Sequence, residues 1–217
     1  MLAEQLRQDQ IANDLANAST AGYKAERTIQ RSFGELLLTN SVTGATIGSQ
    51  STAVQVTGTV TDWTPQPVKE TGEPLDFAIV GEGFFAVRTG DGVRYTRNGA
   101  FAADANGVLV TSAGDPVLGR NNQPVRVGAD GKVDPRALNV VLLANPEKAG
   151  NNLVTGTPAA GAAGAVRSGA LEGSGADPTQ SMVDMIASMR AYEAGQKVIR
   201  TIDETLGKAA SSVGSLT

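Results

Sequence analysis

Toward its C-terminus the chain keeps one spacing for more than four heptads. Met182, Met185, Met189, Tyr192, Gln196, Ile199, Asp203, Leu206, Ala210 and Val213 stand alternately three and four residues apart. That rhythm puts them all on one stripe of an α-helix and makes the stripe a seam for another helix. Asp177-Pro178 supplies the start: Asp caps, Pro takes the first helical position, and Gln180 sits where a capping-box partner would. Glu193 with Lys197 and Glu204 with Lys208 are favourably oriented pairs one turn apart. Against them, Gly195 and Gly207 each cost roughly 1 kcal/mol relative to alanine. A long helix weakened in this way draws its stability from a partner surface. The expectation is therefore an assembly helix; the alternative is an ordinary amphipathic helix packed on its own domain.

The opposite end is also helical in pattern, but its apolar residues do not line up. Residues 1–17 contain neither Gly nor Pro. Leu2 and Leu6 share one face, while Ile11 and Leu15 lie nearly opposite, at about 100° per residue. Such a helix is either buried on two sides or is a fragment whose remaining pattern lies upstream. The segment Asn17-Ala18-Ser19-Thr20-Ala21-Gly22 ends it, with Gly22 as the left-handed stop.

Between these ends the chain reads as strand. Phe77-Ala78-Ile79-Val80 and Phe84-Phe85-Ala86-Val87 flank Gly81-Glu82-Gly83. Asp91-Gly92, Asn106-Gly107 and Asp130-Gly131 each fall between β-rich runs, the strongest short-range sign of a hairpin. Ala113-Gly114-Asp115-Pro116 and Asn121-Asn122 add turns. Residues 39–72 read as loops with a strand or two, and Gly150 to Gly175 as irregular connection or short edge strands. Hydrophobic residues make up 41% of 217, enough for a core, though much of that is alanine and valine, so the core is small-grained. Phe84, Phe85, Tyr95 and Phe101 are expected inside it. The fold class is α+β: a β-rich centre of antiparallel hairpins flanked by N- and C-terminal helices that form a coiled-coil-like bundle. The expected division is residues 1–30, 31–171 and 172–217.

Little of this composition suits catalysis. The chain has no cysteine and no histidine, which excludes thiol nucleophiles, Cys/His zinc sites and imidazole acid–base work. Gly81-Glu82-Gly83 lacks the third glycine of a dinucleotide fingerprint and runs into a strand instead of a helix, so it reads as a bulge or tight turn. Asp104-Ala105-Asn106-Gly107 has no following bidentate Glu at calcium-loop spacing and reads as a hairpin turn. Asp62, Glu70, Glu73, Asp76 and Glu82 could pair for glycoside hydrolysis, but the single Trp63 leaves few sugar-stacking faces. Lys24, Lys69, Lys132 and Lys148 could act as nucleophiles only if buried. The reading is no enzyme, no cofactor and no metal. A net charge of −4 gives no basic face for nucleic acid. No apolar run approaches the length of a membrane span, and Glu4 and Arg7 interrupt any signal-peptide order at the N-terminus.

Several segments in a fixed order resemble the bacterial flagellar axial proteins, the family of rod, hook and relatives. The first is Ala12-Asn13-Asp14-Leu15-Ala16-Asn17-Ala18-Ser19-Thr20-Ala21-Gly22-Tyr23-Lys24. Next come Leu75-Asp76-Phe77-Ala78-Ile79-Val80-Gly81-Glu82-Gly83-Phe84-Phe85 and Tyr95-Thr96-Arg97-Asn98-Gly99-Ala100-Phe101. Leu171-Glu172-Gly173-Ser174, Arg190-Ala191-Tyr192-Glu193 and Thr201-Ile202-Asp203-Glu204 complete it. The resemblance spans nearly the whole chain, and the short middle looks most like rod proteins of the FlgG and FlgF type. Asp14 and Gly175-Ala176-Asp177 depart from the usual pattern. Relatives usually begin further upstream, which would account for the broken stripe in residues 1–17.

The resemblance implies a structural subunit of the flagellar basal-body rod that polymerises into a torque-transmitting shaft, with the distal rod favoured. A proximal-rod or hook-related subunit is the alternative within the family. Outside it stands a soluble β-rich binding or carbohydrate-active protein with a helical dimerisation tail. Implied partners are further copies, other rod and hook axial proteins, and the flagellar export apparatus. Interface residues are expected at Leu6, Asn13, Asn17, Met185, Met189, Tyr192, Ile199 and Leu206.

Overall fold

The computed structural model describes residues 2–39 and 46–214, and side-chain surroundings outside residues 30–56 and 212–214. In chain order the elements are α1 (Leu2–Ala16), β1 (Glu26–Thr39), β2 (Thr46–Thr61), β3 (Val68–Glu70), β4 (Phe77–Val80), β5 (Phe84–Thr89) and β6 (Gly92–Thr96). There follow β7 (Ala102–Ala103), β8 (Leu109–Val110), a 3-10 turn at Pro135–Ala137, β9 (Val140–Lys148), β10 (Leu153–Ala159), β11 (Ala165–Ser168), β12 (Ala170–Glu172) and α2 (Pro178–Gly214). The fold is thus α+β with many antiparallel strands and two helices. The elements fall into two compact units.

The helical unit comprises residues 1–16, 26–60 and 178–217. α1 and α2 pack against one another in it, and β1 and β2 hydrogen-bond as a two-stranded sheet. At about 1.5 Å per residue the 37-residue α2 is more than twice as long as the 15-residue α1. Residues 26–38 had no strand expected of them; β1 and β2 are longer than the one or two strands read from residues 39–72.

The β-rich unit comprises residues 17–25 and 61–177. Four strands close on themselves in the order β5–β6–β10–β9, all neighbours antiparallel. β5 and β6 form a hairpin over Gly90-Asp91, with Thr89 opposite Gly92. β7 and β8 form another around Asn106-Gly107. Gly81-Glu82-Gly83 does not join a hairpin: β4 pairs with β11, while β5 pairs with β6 and β9. The Gly150 to Gly175 stretch holds more regular structure than its composition suggested, because β10 is a barrel strand between β6 and β9.

Strand period explains the core. β5 is buried on both faces, so its alternate side chains feed two clusters. Phe85 and Val87 join Phe77, Ile79, Phe101, Leu109, Val117 and Leu138. Phe84 and Ala86 join Tyr95, Leu118 and Val154, with Trp63, Val141 and Leu143 against them. All four aromatic residues expected in the core are buried. Phe85 meets Phe101 edge-on at 5.3 Å, and Trp63 meets Phe84 edge-on at 5.6 Å.

Candidate assembly surface and the node at the roots of the connecting segments

In the helical unit, the half-buried side of α2 runs through Ser181, Met185, Ser188, Tyr192 and Gln196. Among the described residues of α2, Ser188 is the most deeply buried, 1% exposed, and its hydroxyl donates to the Glu4 carboxylate of α1 at 3.1 Å. A small side chain at that point lets two helix backbones approach closely, which Met189 would not. The heptad seam therefore runs a little to one side of the face the chain itself covers. Met185 and Tyr192 are half-buried, but Met182 and Met189 are exposed. On α1, Ile11 and Leu15 lie on the half-buried side and Leu2 and Leu6 in solvent.

From residue 197 to 211 every α2 side chain is exposed. Ile199, Ile202 and Leu206 are 48%, 52% and 64% exposed. By helical angle they extend the face that carries Ser188. Of the expected interface residues, Leu6, Asn13, Met189, Ile199 and Leu206 stand in solvent, and Met185 and Tyr192 are half-buried. Asn17 belongs to the β-rich unit, where its carbonyl accepts from Ser174 Oγ at 2.8 Å and its Oδ1 from the Thr20 hydroxyl.

The β-rich unit carries a feature that sequence reasoning missed. Glu172, 2% exposed at the end of β12, is flanked by two buried cations. Lys24 Nζ donates to its Oε1 at 2.7 Å, as does the Gln66 N–H at 2.9 Å, and Arg97 Nε donates to its Oε2. Lys24 also donates to the Thr64 carbonyl at 2.6 Å. The Arg97 guanidinium is completed by the carbonyls of Ile79, Gly81 and Gly83. The two glycines, with φ of +107° and +129°, turn their backbone so that their carbonyls meet Arg97. Burial holds the Lys24 ammonium below its ordinary pKa, and the neighbouring Glu172 carboxylate only partly restores it. Lys24 is thus buried, the condition set for a nucleophile, but its ammonium is committed to Glu172 and Thr64.

Two glycines allow this packing. Gly22 has φ +64°, and a Cβ there would sit 2.5 Å from the Arg97 carbonyl carbon and oxygen. A Cβ on Gly99 would lie 1.6 Å from the Phe77 carbonyl oxygen. The usable sign in the sequence was that each charged member sits inside a resemblance segment, in Gly22-Tyr23-Lys24, Thr96-Arg97-Asn98 and Leu171-Glu172-Gly173. Nothing in their spacing pairs them.

Asp104 behaves differently. Its Oδ1 accepts from the Asn106 and Val108 N–H groups at 2.8 and 2.7 Å. The Val108 bond does most to hold this carboxyl below its ordinary pKa, which makes it the organiser of the β7–β8 turn. Among the described residues, no helix is long and apolar enough to cross a membrane.

Comparison with known proteins decides the family. Residues 78–139 match the profile described as "Flagellar hook protein FlgE/F/G D1 domain", and residues 167–212 the one described as "Flagellar basal body rod FlgEFG protein C-terminal". The chain is 34% identical to the flagellar basal-body rod protein FlgG of Bacillus subtilis, over 93% of this chain and 91% of that protein. The chain belongs to the flagellar basal-body rod protein family. It is also 32% identical to the rod protein FlgF of Caulobacter vibrioides, over 96% of this chain and 92% of the relative. A third relative, the flagellar hook-basal body complex protein FlhO of Bacillus subtilis, is 30% identical over the whole of this chain and 96% of its own length. The rod protein described here is accordingly a structural subunit of the flagellar basal body, of the FlgG/FlgF type. The node lies where the family's sequence segments meet, with Arg97 inside the first matched region and Glu172 inside the second.

Proposed function

We propose that this rod protein polymerises into the shaft that transmits motor torque, in its distal segment, without enzymatic activity. The observation that carries the reading is the uncovered apolar side of α2 beyond residue 197. A helix that leaves Ile199, Ile202 and Leu206 in water gains stability when neighbouring subunits cover them. In this reading Leu6, Asn13, Asn17, Met185, Met189, Tyr192, Ile199 and Leu206 meet further copies and other rod and hook proteins. Residues 1–30 and 172–217 supply the inner, coiled-coil-like layer of the tube, and residues 31–171 the layer outside it. The chain travels unfolded through the flagellar export apparatus, a route suited to helices that are marginal until assembled. A proximal position is the second reading, favoured by the comparable identity to FlgF.

Electron microscopy of basal bodies from a strain lacking the gene tests both. Rods that stop at a definite length are expected: a long stump places the subunit distally and a short one proximally. Intact, normally rotating flagella would overturn the assignment to the shaft.

A further inference from the structure

The chain enters or leaves the β-rich unit four times, at residues 16/17, 25/26, 60/61 and 177/178. Inside that unit the connecting segments are bonded to one another. The Asn17 carbonyl accepts from Ser174 Oγ at 2.8 Å, the Tyr23 carbonyl from the Gly175 N–H at 2.8 Å, and the Ala25 carbonyl from the Asp62 N–H at 2.9 Å. Glu172 then gathers all three segments. Its carbonyl accepts from the Gly22 N–H at 3.0 Å, and its carboxylate from Lys24 and Gln66. Through Arg97 the same carboxylate reaches the chain between β4 and β5.

We propose that the Lys24–Glu172–Arg97 node is a mechanical clamp, which keeps the β-rich unit folded when tension arrives through its connecting segments. Equilibrium stability alone explains such a group poorly, since well-packed apolar residues of similar volume often serve as well or better. Resistance to pulling is a different property. Charge-assisted hydrogen bonds are short and directional, so a small displacement breaks them. Withdrawing Lys24 also breaks its bonds to the Glu172 carboxylate and the Thr64 carbonyl together, in a site shielded from water that could replace them. The barrier to extraction is therefore steep and local, whereas apolar contacts yield gradually. That tension arrives follows from the rod reading; the clamp itself follows from the geometry of one chain.

Optical tweezers on the full chain, held by thiol handles added at its two ends, measure the clamp directly. The absence of native cysteine keeps attachment specific. At constant load, Glu172→Gln is expected to release the β-rich unit at least about tenfold faster than wild type, a modest factor beside what removing one partner of a buried pair takes away. The control is Leu109→Ala, a core change in the same unit. It lowers stability to denaturant yet is expected to speed release far less for the same loss of stability. Lys24→Met, which leaves the Arg97–Glu172 pair in place, is read in the same way if Glu172→Gln does not fold, with a smaller acceleration expected. Equal acceleration in the node and core variants at matched stability loss would overturn the clamp. A strain with normal flagella would overturn the rod reading and leave this readout untouched.

Discussion

Glu172 and Leu206 stand for two regions that follow opposite rules. Around Glu172 a carboxylate and two cations are buried, and no buried side-chain nitrogen or oxygen among the described residues lacks a partner. Around Leu206 the side chains are largely apolar or small and all are exposed. The first region completes its interactions within one chain. The second leaves surface uncovered, worth about 25 cal/mol per Å² once something covers it. On the function proposed above the difference separates tasks: the β-rich unit is closed on its own interactions, and the far half of α2 is the surface left for assembly. Polar groups can be buried only where every partner is guaranteed, and one chain guarantees them. Apolar surface can stand in solvent at lower cost than a buried unpaired charge.

The comparison breaks most readily at the node. Glu172→Gln leaves Lys24 and Arg97 buried with a weakened acceptor, and is expected to cost about 3–5 kcal/mol in denaturant unfolding. A loss below about 1 kcal/mol would mean that the charges are solvated or rearranged. Gly99→Ala comes next: its Cβ would collide with the Phe77 carbonyl, and the backbone shift that relieves it is expected to cost at least 1–3 kcal/mol, roughly the range for overpacking. An unchanged melting curve would show that β4 is free to move.

A smaller effect is expected from pH. Because burial lowers the Lys24 pKa in the folded state, between that value and 10.5 the unfolded chain holds a proton the folded chain has released. This group therefore contributes stability that rises with pH through the window. The difference in denaturant midpoint between wild type and Lys24→Met should shift in favour of wild type as pH climbs toward 10.5; a flat difference would refute the sign. The smallest effect on stability belongs to Ile199→Ser with Leu206→Ser, expected within about 0.5 kcal/mol of wild type for each exposed site. The same double variant should abolish swimming while the purified protein unfolds normally. Wild-type swimming would remove the far half of α2 from the assembly surface.

Much of the architecture was legible because it is local. Asp91-Gly92 and Asn106-Gly107 sit in turns joining paired strands, and α2 begins at Pro178 as its capping signals indicate. The alternation in Phe84-Phe85-Ala86-Val87 supplied the core. The illegible parts were relational. The heptad stripe marked α2 as a helix with one apolar side but not Ser188, the buried position whose hydroxyl bonds Glu4 of α1. β10 looked like connection because its Gly and Ala give little strand signal, and pairing with β6 and β9 makes it a strand.

By itself, then, the sequence determined the two helices, the Asp91-Gly92 and Asn106-Gly107 turns, the α+β class and the family, since each is carried by residues close together in the chain. Tertiary structure alone decided which charges meet. Lys24 and Glu172 are 148 residues apart, and Arg97 and Glu172 75. Periodicity encodes a face, because a helix or strand turns at a fixed rate per residue. An ion pair depends on where the chain returns, and that is settled only when the barrel closes and the connecting segments come together beside it.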